Sequence, residues 1–363
     1  MRSLDVAIVA AAVLALTGCR QDEEPPIKTD SKVVLSETYT VDRIYPSMTG
    51  PQSLSALQVV QTQTEAPELV WMTGYRAVMT GADGETPMSQ QFMCHSSLRW
   101  GPARDLSFKR YYSDIFTLAQ GQLKLDLPPG YGIPMSSKEA LLLGTQVLNM
   151  HQKEGVAQTR HKTTIDYVRD RDLEKPMKAL VMKSVQAMVS LEGKEVAYGV
   201  PAGAESEAQK HASCAPGEYP KDGEQNVFKD DQGQRFAAHF VVPPGRHEYR
   251  TLATKRMKLD QDTTIHYIAA HLHPFAQWIE LRDLTTGQPV IRLNATNLRE
   301  GIGLEKVESY SSEEGLPLSH DHEYEVAALY DNTSGENQDA MAVMFLYLLD
   351  KDFQNPYPAA PTT

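Results

Sequence analysis

The stretch "LVWMTGYRAVMT", residues 69–80, decides how the chain is read. It is rich in aromatic and β-branched side chains, which favour strands, and it runs into the turn cluster "GADGE" at 81–85. The alternation recurs where "QGQLKLDLP" at 120–128 leads into "PPGYGIP" at 128–134. Short strand-like runs separated by turns rich in Gly and Pro are the pattern of an all-β sandwich. Two stretches, "SSKEALLLGTQVLNMHQ" at 136–152 and "PMKALVMKSVQAMVSLEG" at 176–193, suit either a helix or a buried strand. Their periodicity does not separate the two.

Working outward, the chain opens "MRSLDVAIVAAAVLALTGC", an apolar run behind Arg2 that ends in small residues and Cys19. This is the pattern of an export signal. Its ending resembles a bacterial lipobox, so residues 1–18 are expected to be a lipoprotein signal peptide and Cys19 the site of lipidation. Residues 19–35, charged and proline-bearing, read as a tether. A membrane partner reached through that lipid and a place in the bacterial cell envelope, on its periplasmic or outer-membrane face, follow as expectations. The remaining length, roughly 340 residues, suits two domains of about 150 each. The polar segment 201–235 reads as a linker or insertion, and "PPG" occurs once on each side of it, at 128–130 and 243–245. The expected architecture is all-β, with two tandem, jelly-roll-like β-sandwiches at 36–200 and 236–352 and a tail at 353–363.

A formal net charge of −12, with no block of Lys and Arg, argues against nucleic acid as a partner. Apart from Cys19 the only cysteines are Cys94 and Cys214, which allow at most one internal disulfide.

Chemistry is concentrated in "HYIAAHLHPFAQWIELRD", residues 266–283. Residues i and i+2 of a strand share a face, so His271 and His273 can converge on one point. The late strand "NQDAMAVMFLYLLD" offers Met341 as a third donor, with Met344 on the opposite face. Two imidazoles and a thioether suit copper, because the soft sulfur favours Cu(I). A methionine near the end of a β domain is otherwise an ordinary core residue.

The order "AAHLHPF" followed by "YDNTSGENQDAMAVMFLYL" resembles the C-terminal domain of the type II copper, ascorbate-dependent monooxygenases, the family of peptidylglycine α-hydroxylating monooxygenase and dopamine β-monooxygenase. The similarity covers about residues 36–351. It implies that His271, His273 and Met341, the last in the Asp339–Ala340–Met341 context, hold the copper at which dioxygen is activated. It also implies a second, electron-supplying copper. In the N-terminal half "MTGYRAV" leads to "QQFMCHSSLRW", and "GTQVLNMHQ" supplies His151. His95 matches the second histidine of a family His-His pair, and Cys94 stands where the first belongs.

The activity implied is hydroxylation of an aliphatic C–H bond of a small-molecule substrate by dioxygen, with ascorbate or another one-electron reductant. The alternative is an envelope copper-binding lipoprotein without catalysis. In the peptide hydroxylase an arginine two residues before the HxH and a tyrosine four residues after the methionine hold the substrate carboxylate. Ala269 and Phe345 occupy those positions here, so a carboxylate-bearing peptide would lack its partners.

Adjacent strand residues face opposite ways, so Cys94 and His95 reach one metal only through a bulge. Cys94 is then either paired with Cys214 in a disulfide or a thiolate ligand. His320 and His322 in "SHDHEYEV" read as solvated residues, and His211 and Cys214 in "KHASC" as parts of an exposed loop. His161, His239, His247 and His266 read as surface or hydrogen-bonded core residues.

Overall fold

A computed structural model of the chain describes residues 28–45, 49–60, 66–101, 108, 114–150, 155–191, 227–230 and 232–357. These residues form an all-β fold of packed sheets, with one four-residue helix, Thr254–Met257, and two short 3-10 turns. The opening stretch becomes the strand Leu69–Gly81. The two undecided stretches are also strands, Ala140–Val147 and Lys178–Ala187. In the second, Leu180 and Met182 enter one core while Val185 and Ala187 enter another. A strand covered on both faces carries apolar residues continuously, which removes the alternation that would have marked it.

One long sheet runs through the molecule, in the order Asp30–Leu35, Ala157–Arg169, Leu69–Gly81, Tyr131–Ser136, Lys178–Ala187, Gln338–Leu349, Thr263–Leu272 and Tyr310–Leu318. All its neighbours are antiparallel except Tyr131–Ser136 with Lys178–Ala187, a short parallel contact that joins the two halves. A four-stranded sheet, Gln52–Gln58, Ala140–Val147, Met93–Trp100 and Asp114–Ala119, covers the N-terminal part. A five-stranded sheet, Gly245–Leu252, Tyr324–Asn332, Ala276–Asp283, Gln288–Asn297 and Leu304–Val307, covers the C-terminal part.

The strand Gln338–Leu349 is therefore buried twice over. Ala340, Ala342, Met344, Leu346 and Leu348 pack toward the five-stranded sheet. Met341, Val343, Phe345 and Tyr347 pack in the same core as Ile115, Phe116 and Leu118 of the N-terminal half. Polar contacts fix that docking. The Tyr347 hydroxyl donates to the Ile115 carbonyl at 2.9 Å, and Gln122 Oε1 accepts from the Ala270 amide at 3.1 Å.

Strand pairing departs from the composition-based boundaries in two places. Asp30–Leu35, read as the end of the tether, pairs along Ala157–Arg169 as the sheet's outer strand. Its polar start, Asp30–Lys32, is followed by only three apolar residues, Val33–Leu35, a run too short to separate from a polar linker. Lys178–Ala187, assigned to the first half, pairs with Gln338–Leu349 of the second. Within 201–235 the described residues include Val227–Lys229, which joins Arg235–Ala237 and Val189–Ser190 in a small sheet. In both PPG turns the glycine has a positive φ, 78° at Gly130 and 101° at Gly245; Gly130 precedes the strand Tyr131–Ser136 and Gly245 begins the strand Gly245–Leu252. No helix among the described residues is long and apolar enough to cross a membrane.

Candidate metal centre

The strand Thr263–Leu272 lies against Gln338–Leu349 so that His271 is the partner of Val343 and Leu272 of Ala342. Continued by one residue, the register brings His273 level with Met341. Alternation then puts His271, His273 and Met341 on one face, the face that meets the N-terminal half. The His271 and His273 rings stand 5.2 Å apart, edge to face. All three side chains are buried, with 7%, 5% and 8% exposure for His271, His273 and Met341.

Two further groups complete the C-terminal part. His239, on the short strand His239–Val242, is the direct cross-strand partner of Met341. Its ring stands 5.7 Å from that of His273. Asp339 lies between them, with Oδ1 2.6 Å from His239 Nε2 and Oδ2 3.5 Å from His273 Nδ1. Burial pushes the Asp339 carboxyl up, but the contacts with His239 and His273 outweigh it and hold the group below the carboxylate range.

His95 approaches from the N-terminal half on Met93–Trp100. Its Nε2 is 3.1 Å from Gln146 Oε1, and the Gln146 amide nitrogen donates to the Gly50 carbonyl, which fixes the amide orientation. His95 Nε2 thus carries the proton, and its Nδ1, which has no hydrogen-bond partner, presents a lone pair. Burial drives His95 down to about 3, with the positive fields of Arg99, His161 and His273 adding to it. His161 is fully buried, and neither ring nitrogen has a hydrogen-bond partner. Burial lowers it to about 4, while the Gln146 backbone, close to the ring but off hydrogen-bonding direction, acts weakly the other way. His271 is held well below the ordinary histidine range by burial first, then by the fields of His273, His95 and His239. Its Nδ1 is also without a hydrogen-bond partner.

Burial holds His95, His161 and His271 in the neutral form, the form in which histidine binds a metal. Buried nitrogens lacking partners are costly unless something occupies them. The donors therefore fit a soft or borderline cation, with the Met341 thioether favouring Cu(I).

His151, Cys19 and Cys214 lie outside the described residues. Cys94 is buried on the His95 strand. The register of that strand against Ala140–Val147 slips between Met93 and His95, the irregularity needed for Cys94 and His95 to turn toward one side.

Of the histidines read as surface or hydrogen-bonded core residues, His239 joins this group through Asp339 and His273, and His161 lies buried near enough to His95 to influence it. The signal for His161 is its place in "TRHKTTI", where it shares the inward face with Thr159, Thr163 and Ile165. His239 sits in the apolar run "FAAHFVV", where an imidazole is out of character. The other readings agree with the geometry. His320 pairs with Asp262 at 2.8 Å and His322 with Asp283 at 2.7 Å, so that pair does not converge. His266 is stacked on Tyr131 at 4.2 Å, with its ring nitrogens at Thr264 and the Ser312 carbonyl. His247 contacts the Pro244 carbonyl at the surface. Ala269 and Phe345, where the resemblance would place a carboxylate clamp, are direct register partners and both buried.

No family model matches the chain, and no curated protein matches it. Among solved structures, the major capsid protein P2 from bacteriophage PM2 aligns with a TM-score of 0.28 and 8% identity, covering 88% of this chain and 100% of that one. A structure of PNGF-II aligns with a TM-score of 0.32 and 9% identity, covering 91% of this chain and 66% of that one. Likenesses this weak carry no argument about function.

Proposed function

We propose that this chain is a copper protein of the cell envelope, a monooxygenase that hydroxylates an aliphatic C–H bond of a small, largely apolar molecule. Dioxygen is its co-substrate, and ascorbate or another one-electron reductant its electron source. The observation that carries the reading is the convergence of His271, His273 and Met341 on one buried face. Copper held there supplies one-electron redox chemistry and the activation of dioxygen. The protein's part is to hold neutral imidazoles in place, to exclude water, and to offer a thioether that stabilises the reduced ion. His95 stands on the opposing wall, near enough for its field to act on His271. With His151, it is our candidate for a second, weaker copper position. The apolar pair Ala269 and Phe345 favours a substrate without a carboxylate, since a buried anion there would lack a partner.

A second reading, copper binding without turnover, is favoured by one observation: every donor of the His271, His273 and Met341 set is at least nine-tenths buried. Untagged protein assayed for metal content and for ascorbate-driven oxygen uptake separates the two. Copper together with uptake that His271→Ala abolishes is the expected result. Copper without uptake leaves only the second reading, and protein that takes up no copper defeats both.

A further inference from the structure

We propose that His239, His273 and Asp339 form a harder donor set for Cu(II), sharing His273 with the soft set of His271 and Met341. This rests on the copper reading above and adds to it a site that changes donors with the oxidation state of the ion.

The strand register makes the juxtaposition. His239 is the direct partner of Met341 across two antiparallel strands, so both side chains leave the same face. Asp339 is two residues before Met341, hence on that face too and diagonal to His239. The donor atoms of His239, His273 and Asp339 all lie within 4.8 Å of one another. His239 Nε2 and Asp339 Oδ1 are 2.6 Å apart, and His273 Nδ1 lies 3.5 Å from Asp339 Oδ2 and 3.3 Å from the Asp339 carbonyl. Two imidazoles and a carboxylate thus converge in the arrangement of ligands around a cation.

Burial separates the two sets. His239 and Asp339 are 24% and 35% exposed, while His271 and Met341 lie deeper. Nitrogen and carboxylate donors suit Cu(II), and a thioether suits Cu(I). When Cu(I) at the inner set gives one electron to an external one-electron acceptor, the product is better held by the outer set. His273 is the common ligand, and any proton on a ring nitrogen that takes up the metal is released to solvent.

The test uses the full-length protein stripped of metal, with Cu(II) added alone and followed by electron paramagnetic resonance, and Cu(I) measured separately by competition with a chelator. Asp339→Asn and His239→Gln should each weaken Cu(II) by about tenfold or more and alter its hyperfine splitting, while Cu(I) affinity changes less than about twofold. Met341→Leu should do the reverse. Circular dichroism confirms that each variant is folded, and Asp339→Asn keeps the side-chain shape. If Cu(II) affinity and spectrum ignore both Asp339→Asn and His239→Gln while Cu(I) still depends on Met341, this inference fails and the copper reading survives. Protein that binds neither oxidation state overturns both.

Discussion

Met341 and Met344 lie three residues apart on one strand and belong to different cores: Met341 packs with the N-terminal half and Met344 against the five-stranded sheet. Only Met341 shares a face with the histidines. Met341→Ile should therefore weaken Cu(I) binding by about tenfold or more and remove the sulfur signal from X-ray absorption of the reduced protein. Met344→Ile should leave both unchanged. Each swap roughly conserves volume and should cost less than about 1.5 kcal/mol. Loss of the sulfur signal in the Met344 variant would place the copper on the other side of the sheet.

Acid should destabilise the metal-free protein. His95 and His161 are depressed in the folded state to about 3 and about 4, against an ordinary value of 6.5. Between 6.5 and those values the unfolded chain binds protons that the folded chain refuses, so stability falls as pH is lowered through that window. Thermal melting from about pH 7.5 to about pH 4.5, which covers the upper part of that window, should show a falling midpoint, and His161→Phe should shallow the slope. Identical slopes in the two proteins would mean that His161 is not held neutral by burial.

Docking of the halves can be probed at one hydroxyl. Tyr347→Phe removes the buried hydrogen bond to the Ile115 carbonyl and should cost about 1–2 kcal/mol in urea unfolding. An unchanged midpoint would show that the contact contributes nothing to holding the halves together.

Cys94 has two rival fates, and the bulge beside it permits either. We expect unreduced protein to yield a peptide linking Cys94 to Cys214, as an oxidising compartment favours. Strong visible sulfur-to-copper absorption with a free Cys94 thiol would instead make the cysteine a ligand.

Lipidation is tested by fractionation. Cys19→Ser should move the protein from the membrane pellet to the soluble fraction, since stable anchoring needs the acyl chains that this cysteine would carry. A variant that stays in the pellet removes the lipid anchor from consideration.

Strand periodicity and turn chemistry are local properties, and they were enough to assign an all-β fold and to put His271 and His273 on one face with Met341 opposed to Met344. The apolar character of Ala269 and Phe345 is likewise plain in the sequence, and under the proposed reading it disfavours a carboxylate-bearing substrate. Pairing between distant strands is not local. That His239 sits beside Met341, that Asp339 reaches His239 and His273, and that His95 comes near enough to His271 to influence it depend on register and on the docking of sheets. Burial is likewise a tertiary property. His161 and His266 are both lone histidines on strands, yet His161 lies wholly inside with unpartnered nitrogens while the ring nitrogens of His266 meet Thr264 and Ser312. The same cause hid the strand Lys178–Ala187: a segment covered on both faces loses its period of two, and only the packed sheets reveal which side each residue serves.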